Sequence, residues 1–254
     1  MNILKTFHIL VFALIAIFLS NCSNHKIPPE KGETAYSKKA REKMEKALNL
    51  RDSGNPTQAI KVFSEIRSKF PFSKYSIRAD FEIAETYFEN NDFEEAIEFY
   101  DLFTRLYPGN FRIEQCYYKI AKSNEELIPG NFIGLLPPVY VRNLEPVENT
   151  LNSFYKYSLK FPKGKHQTEA QEKIKIYEEQ LFKHEIYGFN WYFDNEKYSG
   201  AGFRLLTILK KLSPDRRKPY LRYWEKLYPK LGNGWSDTHI SNEIKFLLAN
   251  VKGE

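Results

Sequence analysis

The sequence predicts an all-α protein, an α-solenoid of about five stacked helical hairpins. Three alanines, Ala47, Ala84 and Ala121, lie 37 residues apart. The same interval separates four further pairs, namely Ala59 and Ala96, Phe63 and Tyr100, Phe70 and Tyr107, and Pro71 and Pro108. A repeat of this length indicates helix pairs that each bury an apolar face against the next pair.

Turn and proline signals divide each of the first two repeats into two helices. The expected helices are residues 35–53 and 56–69, then 74–90 and 92–107. Pro56 stands at the start of a helix, where proline is tolerated. We expect Asp92 to be an N-cap, with Glu95 three residues later completing a capping box. Prolines stop the second helix of each pair, because the residue before proline disfavours helical geometry.

The third repeat is interrupted by a loop that is unusually apolar. Its helices are expected at 111–127 and 145–161, with the loop at 128–143 between them. One interpretation packs this loop into a groove of the same chain. The other makes it an element that contacts a partner, because long ordered loops often carry function.

The fourth repeat and the end of the chain depart from the regular pattern. Helices are expected at 167–194 and 196–212, followed by capping helices at 215–230 and 237–250 in the terminal region 215–254. Asn190 and Gly202 take the positions that alanine holds earlier, so we expect a less regular helix crossing there. Trp224 and Trp235 are expected to seal the last apolar face, since terminal repeats need a different outer surface.

The amino terminus has the features of an export signal that ends at a cysteine. Lys5 precedes the uncharged apolar run Ile9–Leu19. This run suits the core of a secretory signal, whereas a helix that spans a bilayer needs ~20 apolar residues. The run stops just before Cys22, and the arrangement resembles a bacterial lipoprotein signal, in which the cysteine carries diacylglycerol and an amide-linked acyl chain such as palmitate.

This interpretation divides the chain into three parts. They are a signal peptide at 1–21, a lipid-anchored linker at 22–34 and a helical repeat domain at 35–254. Ser23 resembles the pattern that directs lipoproteins to the outer membrane. The alternative leaves Cys22 as an ordinary residue after a plain signal cleavage site.

The sequence contains no catalytic, cofactor or metal motif that we recognise. The five histidines are scattered without metal-ligand spacing, and no HExxH, GxSxG, GxGxxG or P-loop pattern occurs. The net charge of +6 is spread along the chain, which disfavours a nucleic-acid surface. We therefore expect a non-enzymatic protein without a cofactor. Cys116 has no disulfide partner if Cys22 is acylated, and we expect it to be a small buried residue.

The repeats resemble the tetratricopeptide repeat, which has a small residue at each helix crossing, an aromatic residue downstream and a closing proline. Three stretches are also similar to the BamD family, the lipoprotein component of the outer-membrane β-barrel assembly machinery. They are Lys69–Tyr75, similar to its YPFSxY junction, Arg105–Pro108, similar to its RLxP motif, and Leu181–Tyr198, similar to its LAKxExYxxxxYYxxxxxY segment. The third stretch is the most specific.

The resemblance implies a non-catalytic scaffold, lipid-anchored on the periplasmic face of the outer membrane. The implied partners are the barrel component of the machinery (BamA-like, through its periplasmic domains), other assembly lipoproteins and unfolded outer-membrane proteins. The family's partner-binding arginine in the second helix of repeat four is matched by Arg204, and its arginine near the interrupting loop by Arg142. The acidic residues that usually flank the latter are replaced by Val141 and Asn143.

The repeat register also predicts a substrate groove. A helical array offers a long concave surface lined by its first helices, which suits an extended peptide or a partner helix. The residues expected to point into this groove are Arg41, Arg51, Arg78, Glu85 and Lys122. The alternative is that each is merely solvated. A secretin-piloting or cell-division lipoprotein of the same fold is the alternative function.

Overall fold

The computed structural model describes residues 25–130, 137–212, 217–231 and 239–249. Among these residues there are ten α-helices, three short 3-10 helices and no strand. They form two compact units, which divide between Leu127 and Ile128. The predicted all-α class of consecutive helical hairpins is confirmed. The proposed signal peptide and Cys22 lie outside the described residues.

The first unit consists of five helices, each packed against the next. They are α1 (Ala35–Asp52), α2 (Pro56–Lys69), α3 (Lys74–Glu89), α4 (Phe93–Leu106) and α5 (Ile113–Glu126). Helix α1 also contacts α3, so the first helices of successive repeats are neighbours as well. These limits agree closely with the expected ones, because proline and turn residues mark them locally.

Small residues occupy the places where these helices cross. The alanines of the 37-residue repeat, Ala47, Ala84 and Ala121, are all fully buried, as are Ala59 and Ala96. Aromatic side chains fill the remaining space between the helices, and Phe63, Tyr75, Tyr100 and Phe103 are among the largest buried side chains. The repeat signal in the sequence therefore reports a packing requirement.

The predicted buried role of Cys116 is confirmed. Its side chain on α5 is fully buried. Burial, together with the nearby Glu85 carboxylate, raises the pKa of the Cys116 thiol to about 12. The thiol therefore stays protonated near neutral pH, where a thiolate would be needed for reactivity.

The capping box predicted at the start of α4 was wrong. Asp92 is the N-cap residue, but its side chain makes no capping hydrogen bond. Instead its carboxylate accepts a hydrogen bond from Asn90 Nδ2 at 2.6 Å, across a turn in which Asn91 has φ 64°. Asparagine tolerates this left-handed geometry better than most residues. The carboxylate is thus used to close the turn and not to cap the helix.

The second unit is built around three consecutive helices. A 3-10 turn at Val139–Val141 precedes α6 (Glu145–Lys160), α7 (Gln167–Asp194) and α8 (Tyr198–Lys211). Helix α7 packs against both α6 and α8, and the 3-10 turn packs against α7. The long α7 was predicted with the same limits.

The end of the chain is less regular than predicted. The single helix expected at 215–230 is instead three short pieces, a 3-10 turn at Lys218–Tyr220, α9 (Leu221–Leu227) and a 3-10 turn at Tyr228–Lys230. Prolines 219 and 229 lie in the two 3-10 turns, and proline cannot continue an α-helix because it lacks the amide hydrogen. Helix α10 (His239–Ala249) then packs against α8.

The prediction that tryptophans seal the last apolar face is confirmed for Trp224. Trp224 packs against a core that includes Phe189, Leu205 and Leu227. Trp235 lies outside the described residues. In the described part of the chain, no helix has both the length and the apolar character needed to cross a membrane.

Glycines allow α7 and α8 to cross closely, but two of them lie at other positions than the predicted ones. Gly202 is buried as expected, but Asn190 is exposed, so its predicted place at the crossing was wrong. A Cβ atom at Gly188 would lie 3.1 Å from Arg204 Nε, and one at Gly200 would overlap the Tyr192 ring. These glycines allow two large side chains to lie against the backbone of the opposite helix.

The buried alanines give a direct test of the helix crossings. We expect Ala47→Leu to lower the free energy of unfolding by about 1–3 kcal/mol, because the larger side chain forces the helices apart. The control is Lys46→Leu, at the adjacent exposed position, which should change stability by less than about 0.5 kcal/mol. Urea unfolding followed by circular dichroism measures both. Equal losses in the two variants would contradict the assignment.

Candidate functional site

A charged cleft of about 390 Å³ lies in the second unit. It is formed by the segment that leads into α6, by the first turn of α6 and by facing surfaces of α7 and α8. Its ionisable lining residues are Arg142, Glu145, Glu148, His184, Glu185, Arg204 and Lys211. Both arginines singled out in the sequence therefore line one cleft, although they are far apart along the chain.

Arg204 is held in place from three sides. Its Nη1 donates to Glu185 Oε2 at 2.9 Å, and its guanidinium lies 6.0 Å from the centre of the Tyr192 ring. The third side is the backbone at Gly188, where even a methyl group would press against the Arg204 side chain. The Arg204 side chain nevertheless keeps about a third of its surface exposed, 34%. It is thus both oriented and accessible to a partner.

Glu185 is the buried anion that organises this side of the cleft. Only 8% of the residue is exposed. Besides Arg204, it accepts a hydrogen bond from Lys211 Nζ at 3.3 Å. Since a carboxylate can be buried at low cost only when it is paired, the two cations offset the cost of burying Glu185.

Arg142 is positioned by a turn that is docked on α7. The Tyr140 carbonyl accepts a hydrogen bond from His184 Nδ1 at 2.7 Å, and the Tyr140 ring packs edge-on to Tyr187. Arg142 Nη1 then donates to the Pro129 carbonyl at 2.9 Å. The part of the apolar loop that follows residue 136 therefore packs on its own chain, which favours the first of the two interpretations for that part. Residues 131–136 lie outside the described ranges.

Two donor nitrogens of Arg142 are left without a partner. Arg142 Nε and Nη2 are buried and make no hydrogen bond within the described residues. An unsatisfied buried donor costs about 1–3 kcal/mol, and more when it is charged. Guanidinium donors suit carboxylate oxygens, which can accept two parallel hydrogen bonds. The side of Arg142 that lines the cleft is therefore chemically incomplete.

The first unit carries a second charged surface, on its first helices. Four of the residues predicted to line a groove are there, Arg51 on α1, Arg78 and Glu85 on α3, and Lys122 on α5. Glu82 accepts hydrogen bonds from Arg51 Nη1 at 2.7 Å and from Arg78 Nε at 3.1 Å. Glu85 accepts from Tyr100 and Gln115, and Lys122 pairs with Glu125.

The fifth predicted groove residue, Arg41, has a different set of contacts. Its guanidinium bonds to Glu33, to Glu45 and to the Ile27 carbonyl, and only 12% of its side chain is exposed. All five residues thus have partners within the chain, and their predicted role in binding stays a prediction. In the ranges described here, no group of three or more His, Cys, Asp or Glu side chains is arranged to hold a metal ion.

Glu185, Lys211 and Gly188 are members of the site that sequence reasoning missed. Glu185 follows Lys183 and His184 on α7, and Gly188 lies three residues later on the same helix face. An acidic residue and a glycine at this spacing, opposite a basic helix, were the available signal. It became clear only when the facing helix was known.

The sequence is similar to a family of known proteins. The chain matches the family model YfiO, described as outer membrane lipoprotein, over residues 33–236. It is 26% identical to the outer membrane protein assembly factor BamD of Caulobacter vibrioides over 169 residues, which cover 66% of this chain but only 52% of that protein.

Two other relatives are covered more completely. The BamD protein of Neisseria meningitidis serogroup A is 21% identical over 229 residues, which cover 88% of this chain and 85% of the relative. The BamD protein of Pasteurella multocida is 21% identical over 235 residues, which cover 91% and 86%. The likeness therefore includes both compact units.

The orphaned donors of Arg142 can be tested through stability. Arg142→Met keeps the bulk of the side chain and removes two unsatisfied nitrogens, so we expect the free energy of unfolding to stay within about 0.5 kcal/mol or to rise. Arg204→Met, the matched variant, leaves Glu185 with one cation and should lower it by about 1–2 kcal/mol. Urea titration compares the two. A larger loss for Arg142→Met than for Arg204→Met would show that Arg142 is satisfied in solution.

Proposed function

We infer the function from the family: the chain belongs to the YfiO (BamD) family of outer membrane lipoproteins, and we propose that it is a non-catalytic scaffold for outer-membrane protein assembly. The names of its relatives support this role. We further propose that Cys22 is acylated and holds the protein at the periplasmic face of the outer membrane. The observation that carries the proposal is the cleft that brings Arg142 and Arg204 together.

We propose that this cleft receives an acidic segment of the barrel component, through its periplasmic domains. Arg204 is pre-oriented by Glu185 and Tyr192, so little side-chain entropy is lost when a partner carboxylate binds to its exposed face. Arg142 offers two donors that make no hydrogen bond within the part of the chain that the structure describes. A carboxylate bound between the two arginines would satisfy both, and it would offset the repulsion between them and Lys211.

The charged surface of the first unit is our proposed site for unfolded outer-membrane proteins. Each of four residues on this surface already forms an ion pair with a side chain of the same unit, namely Arg51, Arg78, Glu85 and Lys122. The Arg78 and Lys122 side chains keep part of their surface exposed, so a substrate carboxylate can contact them without displacing the mostly buried Arg51–Glu82 pair. A surface of both signs also suits substrates of varied sequence, which a single-sign surface would discriminate.

The cleft predicts a specific loss of partner binding. We expect Arg204→Ala, and more strongly the pair of changes Arg204→Ala and Arg142→Ala, to reduce recovery of the barrel component in affinity purification from detergent-solubilised membranes. Truncating one side of a buried charge pair at an interface costs about 2–5 kcal/mol, which corresponds to at least tenfold weaker binding.

The matched control is Lys183→Ala. Lys183 precedes His184 on α7, its side chain is 48% exposed and it pairs with Glu179, away from the cleft lining. This variant should recover the barrel component normally. If the double variant, at normal abundance, also retains full recovery, the cleft is not the binding site.

Depletion of the whole protein separates the broader proposal from a secretin-piloting role, because loss of many barrel proteins together is expected rather than loss of one export pathway.

The lipid anchor is tested by cysteine substitution. Cys22→Ala removes the acylated side chain, so we expect the acyl chains to be lost from the amino-terminal peptide. The control is Cys116→Ala. Cys116 is fully buried, so this change should leave the protein in the membrane fraction. Fractionation followed by mass spectrometry of the amino-terminal peptide measures both. A wild-type amino-terminal peptide that begins at Cys22 and carries no acyl chain would contradict the anchor.

A further inference from the structure

We propose that residues His25–Glu33 form a strap that holds one end of the first unit close to the lipid bilayer. The sequence predicts these residues as part of a linker. In the structure they lie along α1 and are bonded to it at several points. The inference rests on the proposed acylation of Cys22, and it adds which surface of the protein faces the membrane.

The backbone of the strap is bonded by side chains of α1. The amide of His25 donates to Asn49 Oδ1 at 2.7 Å, and the amide of Ile27 donates to Glu45 Oε1 at 2.8 Å. The Ile27 carbonyl in turn accepts from Arg41 Nη1 at 3.1 Å. Backbone groups of a free linker would be bonded to water, so these contacts describe a docked segment.

Ion pairs and an apolar contact reinforce the docking. Glu33 accepts from Arg41 Nε at 3.0 Å and Nη2 at 3.2 Å, and only 7% of the Glu33 side chain is exposed. At the other end, His25 Nε2 lies 2.5 Å from Asp52 Oδ2. Between these ends, Ile27 packs against the hydrophobic core of the first unit. The strap therefore runs antiparallel to α1, from its first turns to its last residue.

The strap shortens the reach of the anchor. Two residues, Ser23 and Asn24, separate Cys22 from His25. A chain spans at most about 3.3–3.6 Å per residue step, so over three steps the acylated cysteine lies within about 10 Å of His25. An undocked linker extending to Thr34 would reach about 40 Å by the same measure. Since His25 contacts Asp52, the turn between α1 and α2 must lie close to the lipid headgroups.

The proposal places the opposite end of the same hairpin farther from the bilayer. Helix α2 has 14 residues and is therefore about 21 Å long. At its far end, the junction with α3 carries Phe72, whose side chain is almost fully exposed. The docked strap thus distinguishes a membrane-proximal end of the hairpin from a membrane-distal end.

The membrane-proximal end of the hairpin faces the phospholipid headgroups, and the short anchor keeps this end close to them. The residues at this end include Asp52, Glu89 and Asp92, which are acidic. Attraction to anionic headgroups would require basic residues instead. The orientation should therefore follow from chain length and strap docking, and it should be insensitive to ionic strength.

The experiment uses the acylated full-length protein in vesicles that contain headgroup-nitroxide lipids. A fluorophore is attached at Asn55→Cys, in the exposed turn between α1 and α2, or at Phe72→Cys, in the distal junction. Cys116 is buried and Cys22 carries its thioether, so the added thiol is the one that reacts. We expect quenching at position 55 to exceed quenching at position 72 at least about threefold, because the two labels differ by about 20 Å in distance from the lipid.

Two variants assign this difference to the strap. Insertion of twelve Gly and Ser residues between Asn24 and His25 leaves the strap intact but adds about 20 Å of mean reach, so the difference should largely disappear. Arg41→Ala removes the contacts to Glu33, Glu45 and Ile27 and should have the same effect, whereas Lys39→Ala, at an exposed position of α1, should not.

The outcomes separate this inference from the anchor itself. Equal quenching at positions 55 and 72 in a membrane-bound protein would overturn the strap inference alone. A difference that survives the insertion would also overturn it, since some other contact would then set the orientation. A protein that does not bind vesicles at all would overturn the lipid anchor and the strap inference together.

Discussion

Close approach of neighbouring helices is the constraint on which the rest of the structure depends. In the first unit, alanines at a fixed interval are fully buried, and they let each helix lie against the next. In the second unit, glycines at 188 and 200 serve the same purpose and bring the backbone against Arg204 and Tyr192. The geometry that packs the hairpins is therefore also the geometry that orients the arginine of the cleft. Packing and binding are not separate features in this unit.

The sequence predicted the helices well because their limits are set locally. Prolines, turn residues and the repeat interval lie within a few positions of the ends that they mark, so α2 and α7 have the predicted limits. Asn190 was misplaced for a related reason. Each residue turns a helix by about 100°, so a one-residue error in aligning the long α7 moves a side chain from the crossing to the solvent. The glycines that do lie at the crossing became recognisable only from α8.

Long-range charge pairing was much harder to predict. Arg41 was placed in a groove by repeat register, but its three contacts involve Glu33, Glu45 and Ile27, two of which precede the first helix. Glu185 on α7 accepts hydrogen bonds from Arg204 and Lys211 on α8. Neither helix sequence alone predicts these contacts. Similarly, Asp92 has the sequence of a capping residue but bonds to Asn90. Polar side chains choose among several partners, and tertiary position decides between them.

The two arginines of the cleft are prepared for binding in different ways. Arg204 is satisfied by Glu185, so its contribution to a complex comes from being fixed in advance with part of its surface free. Arg142 is held by one bond to Pro129, while two of its buried donors find no partner among the described residues, and an unsatisfied buried donor carries a cost that a ligand can remove. Carboxylate oxygens suit these donors best, because a carboxylate can accept two parallel hydrogen bonds from one guanidinium. An anionic group that reached both arginines would therefore complete the contacts of Arg142 and use the fixed geometry of Arg204.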